Sequence, residues 1–184
     1  MVSSPGSGKT TLLTEVLTRL SKKYHAAALV GDLATENDAQ RLERSGAKVH
    51  QITTGTVCHL EAQMIEDSIK QWNLSDIDFL FIENVGNLVC PSSYDLGENI
   101  RVVLFSTTEG EDKPEKYPTI VNSADIAIIT KMDLAEAVEF NKDFFYEAIY
   151  QSRPEMKIFE VSSKNNVGID EWINYLIEEK NKTI

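Results

Sequence analysis

Short apolar, β-branched runs alternate along this chain with longer segments in which apolar residues recur every three or four positions. The first pattern is typical of buried strands, and the second is typical of amphipathic helices. Their alternation predicts an α/β fold with a mainly parallel sheet and helices on both faces. The predicted strands span residues 26–31, 49–53, 79–83, 101–106, 125–130 and 157–162.

Two predicted helices carry the clearest apolar stripes, at the start and the end of the chain. The stripe of the first helix comprises Leu12, Leu13, Val16, Leu17 and Leu20. The stripe of the last helix comprises Ile169, Trp172, Ile173, Leu176 and Ile177. Two further helices are predicted over residues 39–45 and 60–72. Irregular segments at 86–97 and 107–118 lie just beyond strand ends, where α/β folds place their ligand loops.

Composition limits the possible partners. The 184 residues are 42% hydrophobic and 26% charged, which fits one folded domain spanning residues 1–184. Acidic residues outnumber basic ones by 29 to 18, and a net charge of −11 repels a nucleic-acid backbone. The apolar runs are far shorter than the roughly 20 residues that a membrane span needs. We therefore predict a cytoplasmic protein that binds neither nucleic acid nor membrane.

A phosphate-binding loop is the strongest motif. Ser3-Ser4-Pro5-Gly6-Ser7-Gly8-Lys9-Thr10-Thr11 leads directly into the first helix. Glycines at 6 and 8 let backbone N–H groups converge on phosphates, Lys9 reaches the β- and γ-phosphates, and Thr10 ligates Mg²⁺. The alternative is a glycine-rich turn that only caps a helix. Ser3 stands where this motif usually begins with glycine.

Residues at two later strand ends are candidates for reading the base. Asp133, in the sequence Thr130-Lys131-Met132-Asp133, places a carboxylate that accepts two N–H groups of guanine, a donor pair that adenine lacks. The stem of Lys131 covers the ring. Backbone N–H groups of the loop at Ser162 and Ser163 approach the guanine O6. The alternative for Asp133 is a turn or helix cap.

Three carboxylates are candidates for binding Mg²⁺ and positioning water. Asp32 and Glu83 each end a predicted strand, and Asp38 follows Asp32 closely. Together with Lys9, we assign Asp38 and Glu83 to catalysis. Asp38 is also a candidate N-cap of the helix at 39–45. Gly86 lets its N–H approach the γ-phosphate, so the segment from Glu83 to Gly86 is a candidate switch between GTP and GDP states.

The chain has two cysteines, and one of them is followed by a histidine. Cys58 and His59 lie in a predicted turn, and Cys90 lies in the irregular segment after the Glu83 strand. Thiolate and imidazole favour Zn²⁺ or Ni²⁺, and three ligands leave one coordination position for water or for a second subunit. The alternative is a pair of buried core thiols.

Four stretches carry a resemblance to a known family. The chain resembles the hydrogenase nickel-incorporation GTPases, the HypB type, within the P-loop GTPase class that includes the signal-recognition-particle GTPases. The resemblance rests on Gly31-Asp32 with Asp38-Ala39, on Thr54-Gly55 with Cys58-His59-Leu60, on the run Ile82-Glu83-Asn84-Val85-Gly86-Asn87-Leu88-Val89-Cys90-Pro91, and on Thr108-Glu109-Gly110-Glu111-Asp112-Lys113-Pro114.

This resemblance implies a slow GTPase that releases GDP and phosphate and forms a GTP-dependent homodimer. It implies a Ni²⁺ or Zn²⁺ site at the dimer face, built from Cys58, His59 and Cys90. It also implies two partners, a small nickel metallochaperone and the precursor of the [NiFe]-hydrogenase large subunit.

The chain departs from the family pattern in three ways. Thr130 replaces the usual Asn, no Cys- or His-rich N-terminal segment is present, and only Met1 and Val2 precede the phosphate loop. We therefore expect most of the first strand to be missing from this sequence. Rival interpretations are a related metallochaperone GTPase for urease or a cobalamin enzyme, and a metal-binding module with a degenerate nucleotide site.

Overall fold

The structure, a computed structural model, describes residues 1–32 and 37–182. Its strands are β1 (Val2–Ser3), β2 (Ala26–Asp32), β3 (Lys48–Thr53), β4 (Phe79–Glu83), β5 (Val102–Ser106), β6 (Ile126–Thr130) and β7 (Lys157–Glu160). Its α-helices are α1 (Lys9–Leu20), α2 (Asn37–Glu43), α3 (Ala62–Ile69), α4 (Lys113–Lys116), α5 (Pro118–Ser123), α6 (Lys142–Ser152) and α7 (Ile169–Lys182). Short 3₁₀ turns lie at Leu74–Asp76, Cys90–Ser93, Thr107–Glu109 and Met132–Leu134.

The strands form two parallel ladders that meet at the first residues of the chain. One ladder has the order β3-β2-β4, and the other has the order β1-β5-β6-β7. Met1 joins them, because its amino group donates to the Ile82 carbonyl at 2.7 Å and its carbonyl accepts from the Asn84 N–H at 3.0 Å. The short strand β1 therefore lies between β4 and β5.

Helices cover both faces of the sheet, as the apolar pattern predicted. Leu104 and Ile128 pack on one face with residues of α1 and α7. Their neighbours Phe105 and Ile129 pack on the opposite face with residues of α5 and α6. Successive side chains of a strand point to opposite faces, so strands buried on both sides read as continuous apolar runs. Burial of one leucine contributes roughly 1.5–3 kcal/mol, so both layers stabilise the fold. The predicted fold class is confirmed.

Two helices differ from their predicted bounds. The helix predicted at 60–72 spans Ala62–Ile69, because Glu61 has an extended backbone, at φ −116° and ψ 151°, and is the N-cap of the helix. The helix predicted at 39–45 begins earlier, at Asn37, so Asp38 lies in its first turn and the N-cap interpretation of Asp38 is wrong. Gly46, at φ 81°, follows this helix in a left-handed conformation that suits glycine.

The last strand is also shorter than predicted, because Ser162 pairs with Val167 across a tight antiparallel bridge instead of continuing the parallel ladder. Within residues 1–32 and 37–182, no helix has the length and apolar character needed to cross a bilayer.

Candidate functional site

The phosphate loop connects β1 to α1 and bends at two glycines. Gly6 has φ 76° and Gly8 has φ 94°, a region that residues with a Cβ atom adopt at a cost. The carbonyl of Gly8 accepts the first helical hydrogen bond, from the Leu12 N–H at 2.9 Å. The first N–H groups of α1 have no acceptor within the helix and follow the loop directly, which is the arrangement that binds anionic phosphate.

Lys9 is held inside this loop by Ser3. The Lys9 Nζ donates to the Ser3 Oγ at 2.8 Å, and the Ser7 hydroxyl donates to the same oxygen at 2.5 Å. Burial lowers the pKa of Lys9 below its usual range, and the nearby Glu83 carboxylate opposes this shift. Only 8% of Lys9 is exposed, so this cation is desolvated before any phosphate arrives. Desolvation strengthens its attraction for an anion.

Glu83 lies beside Thr10 at the end of β4. The Thr10 hydroxyl donates to the Glu83 Oε1 at 2.7 Å, while the buried Oε2 has no hydrogen-bond partner among the described residues. Burial raises the pKa of Glu83 above its usual range, and Lys9 partly offsets this effect. A buried carboxylate oxygen with no donor, next to a hydroxyl, matches the oxygen ligands that Mg²⁺ prefers. The residues present therefore fit this cofactor.

The other two predicted carboxylates lie at the edge of this group. Asp32 ends β2 and is partly buried, and Asp38 is partly exposed on the first turn of α2. Both carboxylates act electrostatically on Lys9, in the direction that raises its pKa. Arg41 of α2 lies 3.8 Å from the Asp38 Oδ1 and donates to the Thr11 hydroxyl at 3.3 Å. Helix α2 thereby contacts the first turn of α1.

The predicted base-reading residues converge at the ends of β6 and β7. The Asp133 Oδ1 accepts from the Ser162 hydroxyl at 2.6 Å, and this hydroxyl also accepts from the Asn165 N–H at 3.2 Å. Ser163 follows in the same loop and is partly exposed. Lys131, at φ 57°, donates from Nζ to the Gly6 carbonyl at 2.8 Å. The base-reading loop and the phosphate loop are therefore in direct contact.

Thr130 lies beneath the phosphate loop. Its hydroxyl is 2.5 Å from the Ser7 carbonyl and 3.2 Å from the Phe105 carbonyl, and only 4% of the residue is exposed. The Thr130 Oγ1 also lies 3.9 Å from the position that a Cβ on Gly8 would occupy. Thr130, the first residue of the predicted base-reading run, therefore supports the phosphate loop from below.

The structure brings Cys58, His59 and Cys90 together. One ligand atom from each lies within 4.8 Å of the others, and the two Sγ atoms are 2.8 Å apart. A hydrogen bond with Cys90 raises the pKa of the Cys58 thiol above its usual range. A metal ion that binds here must displace that proton, because the thiolate is the ligand. Both thiols are half-buried and lie in loops, which disagrees with the alternative of two core cysteines.

Two neighbours orient the His59 ring. Tyr94 stacks on it, with centroids 3.8 Å apart and planes inclined by 24°. The His59 Nε2 is 3.5 Å from the Glu61 Oε1 and has no hydrogen-bond partner within the part of the chain that the structure describes. The Nδ1 faces Cys58, 3.9 Å from its Sγ. Histidines that bind metals commonly have a carboxylate beside the ring nitrogen that does not face the metal, and Glu61 lies in this position relative to His59.

Sequence reasoning missed several residues that shape the site. Ser3 appeared only as a departure from the motif, yet it holds Lys9. The side chain of Asn84 accepts from the Leu60 and Val85 N–H groups, each at 2.9 Å. Asn87 contacts the loops of both cysteines. The run of the family resemblance includes both asparagines, and this is the signal that could have identified them.

Fold and phosphate loop together define a P-loop nucleotide-binding domain. A family model described as the CobW/HypB/UreG nucleotide-binding domain matches residues 1–160. The chain belongs to this family, and its strong relatives within it are HypB hydrogenase maturation factors.

Alignments with two relatives show the sequence identity and the share of each protein that this chain covers. It is 47% identical over 176 residues to hydrogenase maturation factor HypB of Escherichia coli K12, covering 96% of this chain and 61% of that protein. It is also 47% identical over 183 residues to hydrogenase/urease maturation factor HypB of Helicobacter pylori, covering 97% of this chain and 75% of that protein. The chain therefore spans about three fifths of the Escherichia coli relative.

Solved structures agree with this assignment. The crystal structure of HypB from Helicobacter pylori in complex with nickel superimposes with a TM-score of 0.93 at 46% identity, covering 99% of this chain and 86% of that one. Signal recognition particle 54 kDa protein from Aeropyrum pernix, in complex with GDP, matches with a TM-score of 0.64 at 14% identity, covering 98% and 48%. The second match supports the fold alone.

Proposed function

We propose that this chain is a Mg²⁺-dependent GTPase domain, spanning residues 1–184, that assists nickel insertion into [NiFe]-hydrogenase. One observation carries the proposal. The segment that begins at Glu83, bonded to Thr10 of the phosphate loop, ends at Cys90 in the thiol and imidazole cluster. A nucleotide site and a metal site thus share one short segment, as a nucleotide-controlled metal carrier requires.

Hydrolysis follows from the charges around the loop. Lys9 and the N–H groups at the start of α1 stabilise negative charge that develops on the transferred phosphoryl group. Thr10 and Glu83 would hold Mg²⁺, with Asp32 and Asp38 nearby, and the ion would supply positive charge that neutralises the phosphates. Glu83 and Asp38 orient the attacking water. We expect slow turnover, as the family resemblance implies.

Guanine selection is assigned to Asp133. We expect Asp133→Asn to shift preference from GTP toward XTP, because the amide donates to the base edge where the carboxylate accepted. Relative affinities measured by competition against fluorescent mant-GDP provide the test. Asp143→Asn on the first turn of α6 is the control, and it should leave both affinities unchanged. If Asp133→Asn also leaves the preference for GTP intact, Asp133 does not read the base.

Nickel is the cargo in this proposal. Two thiolates and one imidazole suit Ni²⁺ and Zn²⁺, and they leave a tetrahedral shell one ligand short. Val89, at 61% exposure, precedes Cys90, and Tyr94, at 41% exposure, stacks on His59, so these two side chains present an apolar rim beside the cluster. We propose that a second copy packs on this rim when GTP is bound and completes the shell. A small nickel metallochaperone and the hydrogenase large-subunit precursor are the proposed donor and recipient.

A second recipient is supported by one relative. The Helicobacter pylori protein is named a hydrogenase/urease maturation factor, and it is 47% identical to this chain. We propose urease as the alternative recipient apoenzyme. The metal chemistry is the same in both cases, so the recipient protein has to be identified by its activity in cells.

Complementation of a strain that lacks its own HypB-type factor tests the proposed function. The parent chain should restore hydrogenase activity at low nickel, and Cys58→Ala should fail until excess nickel is supplied. Binding of mant-GTP with and without Mg²⁺ accompanies this assay, because a pure metal-binding module binds no nucleotide. A parent chain that binds mant-GTP but restores neither hydrogenase nor urease would contradict the maturation role.

A further inference from the structure

Asn87 lies between the phosphate loop and the cysteine cluster. Its backbone forms an isolated antiparallel bridge with Ser3, the residue whose hydroxyl accepts from the Lys9 ammonium. Its side chain points toward the cluster, where it contacts both cysteine-bearing loops. The same residue therefore contacts the element that holds the phosphate-binding lysine and the two loops that carry the thiols.

The Asn87 side-chain amide forms hydrogen bonds through both its oxygen and its nitrogen. Its Oδ1 accepts from the N–H groups of Val89 at 2.8 Å and Cys90 at 3.4 Å. Its Nδ2 donates to the Cys58 carbonyl at 3.4 Å. Asparagine offers an acceptor and a donor on one short side chain, whereas aspartate at neutral pH offers acceptors only. This side chain therefore connects loops that are 32 residues apart in the sequence.

The segment before Asn87 is packed firmly against the phosphate loop. A Cβ on Gly86 would lie 2.9 Å from the Pro5 Cα, so only glycine permits this approach. Asn84, only 2% exposed, accepts from the Leu60 N–H immediately after His59. The segment is in direct contact with the phosphate loop on one side and with the loop of His59 on the other. A shift of the phosphate loop must therefore move this segment as well, because it is closely packed.

We propose that Asn87 is a positioning residue that sets the spacing of Cys58 and Cys90 and relays the nucleotide state to them. The inference rests on the proposed function, because it concerns the same metal and nucleotide sites. The γ-phosphate, which GTP has and GDP lacks, draws the Lys9 ammonium further from the Ser3 hydroxyl than the β-phosphate alone does. Ser3 then changes its hydrogen bonds, and the backbone bridge transmits the change to Asn87 and through its amide to both thiol loops.

Nickel affinity measured with GDP and with a non-hydrolysable GTP analogue tests the relay. The parent should show different Ni²⁺ affinities in the two states. Asn87→Ala should bind Ni²⁺ about 10-fold more weakly, because losing the contacts that orient metal ligands typically lowers metal affinity by this much. The ratio of its Ni²⁺ affinities with the two nucleotides should approach one. The thiolate-to-nickel absorption band should remain at saturating nickel, because the ligands themselves are unchanged.

Two variants separate positioning from a general loss of structure. Asn87→Asp keeps the acceptor for the Cys90 loop but loses the donor to Cys58, so it should also lose the nucleotide dependence, with a smaller loss of affinity. Ser92→Ala, the matched control, removes a hydroxyl that donates to the Val89 carbonyl at 2.6 Å, and it should behave as the parent does. The affinity for mant-GDP and the thermal midpoint should stay at parent values in all three variants.

The inference is overturned if the ratio of Ni²⁺ affinities with GDP and with the GTP analogue stays at the parent value in Asn87→Ala and Asn87→Asp, even if nickel affinity itself falls. A parent whose Ni²⁺ affinity is equal with either nucleotide overturns it as well. A parent that binds no nickel at all refutes the metal half of the proposed function, and the relay with it. The first two results leave the proposed metal site and GTPase standing, so the two failures are distinguishable.

Discussion

Lys9→Ala is expected to lower GTP turnover by about 100-fold or more, the cost of removing one preorganised group that stabilises transition-state charge. The effect should be large because Lys9 is buried in the phosphate loop, where it is desolvated. Single-turnover phosphate release from GTP at saturating Mg²⁺ measures it directly.

Lys23→Ala is a suitable control for the loss of one positive charge, since Lys23 is exposed just after α1. It should turn over GTP at the parent rate. Ser3→Ala provides a second comparison, because it removes the hydroxyl that holds Lys9 without removing the ammonium. We expect its turnover to fall less than that of Lys9→Ala. Parent-like turnover in Lys9→Ala would exclude the assigned phosphate site.

Cys90→Ala is expected to abolish tight binding of Ni²⁺ and Zn²⁺. The change leaves one thiol and one imidazole within reach of the ion, and two ligands do not make a stable site for either metal. Cys90 is half-buried in a 3₁₀ turn outside the apolar clusters, so the free energy of unfolding should change little. Competition against a chromophoric chelator gives the affinity, and urea denaturation gives the stability.

His50→Ala is the matched control for this second prediction. His50 lies exposed on β3, outside the cluster, so its removal should leave metal affinity at the parent value. Cys58→Ala should repeat the effect of Cys90→Ala. If Cys90→Ala binds either metal with parent stoichiometry and affinity, the cluster is not the metal site.

Parts of the site could be predicted because their chemistry depends on sequence spacing. Gly6 and Gly8 precede a helix in the pattern that backbone N–H groups need to bind phosphate, and the structure has both in left-handed conformations. The meeting of Cys58 with Cys90 was also predictable in outline. Each follows the carboxyl end of a parallel strand, and such ends share one edge of a sheet.

Other features could not be read from the sequence because they depend on contacts between distant loops. Glu61 has an extended backbone, so α3 starts later than the apolar pattern suggested, and the Leu60 N–H just before it donates to Asn84 of a distant loop. Tyr94 stacks on His59 from a segment with no periodic pattern. Hydrogen bonds of asparagine to loop backbones follow no spacing rule, so the family resemblance includes Asn87 but does not indicate which loops its side chain connects.

We propose that nucleotide binding and metal binding by this chain are linked through dimerisation. Sedimentation velocity with GDP or a non-hydrolysable GTP analogue, each with and without Ni²⁺, tests it most directly. Thermodynamic linkage requires that a ligand whose affinity changes on dimerisation shifts the monomer–dimer equilibrium by the same factor, and this holds for both metal and nucleotide. More dimer is expected with the GTP analogue, and Ni²⁺ should shift this equilibrium in the parent chain but not in Cys90→Ala. An equilibrium indifferent to nucleotide in every metal condition would contradict it.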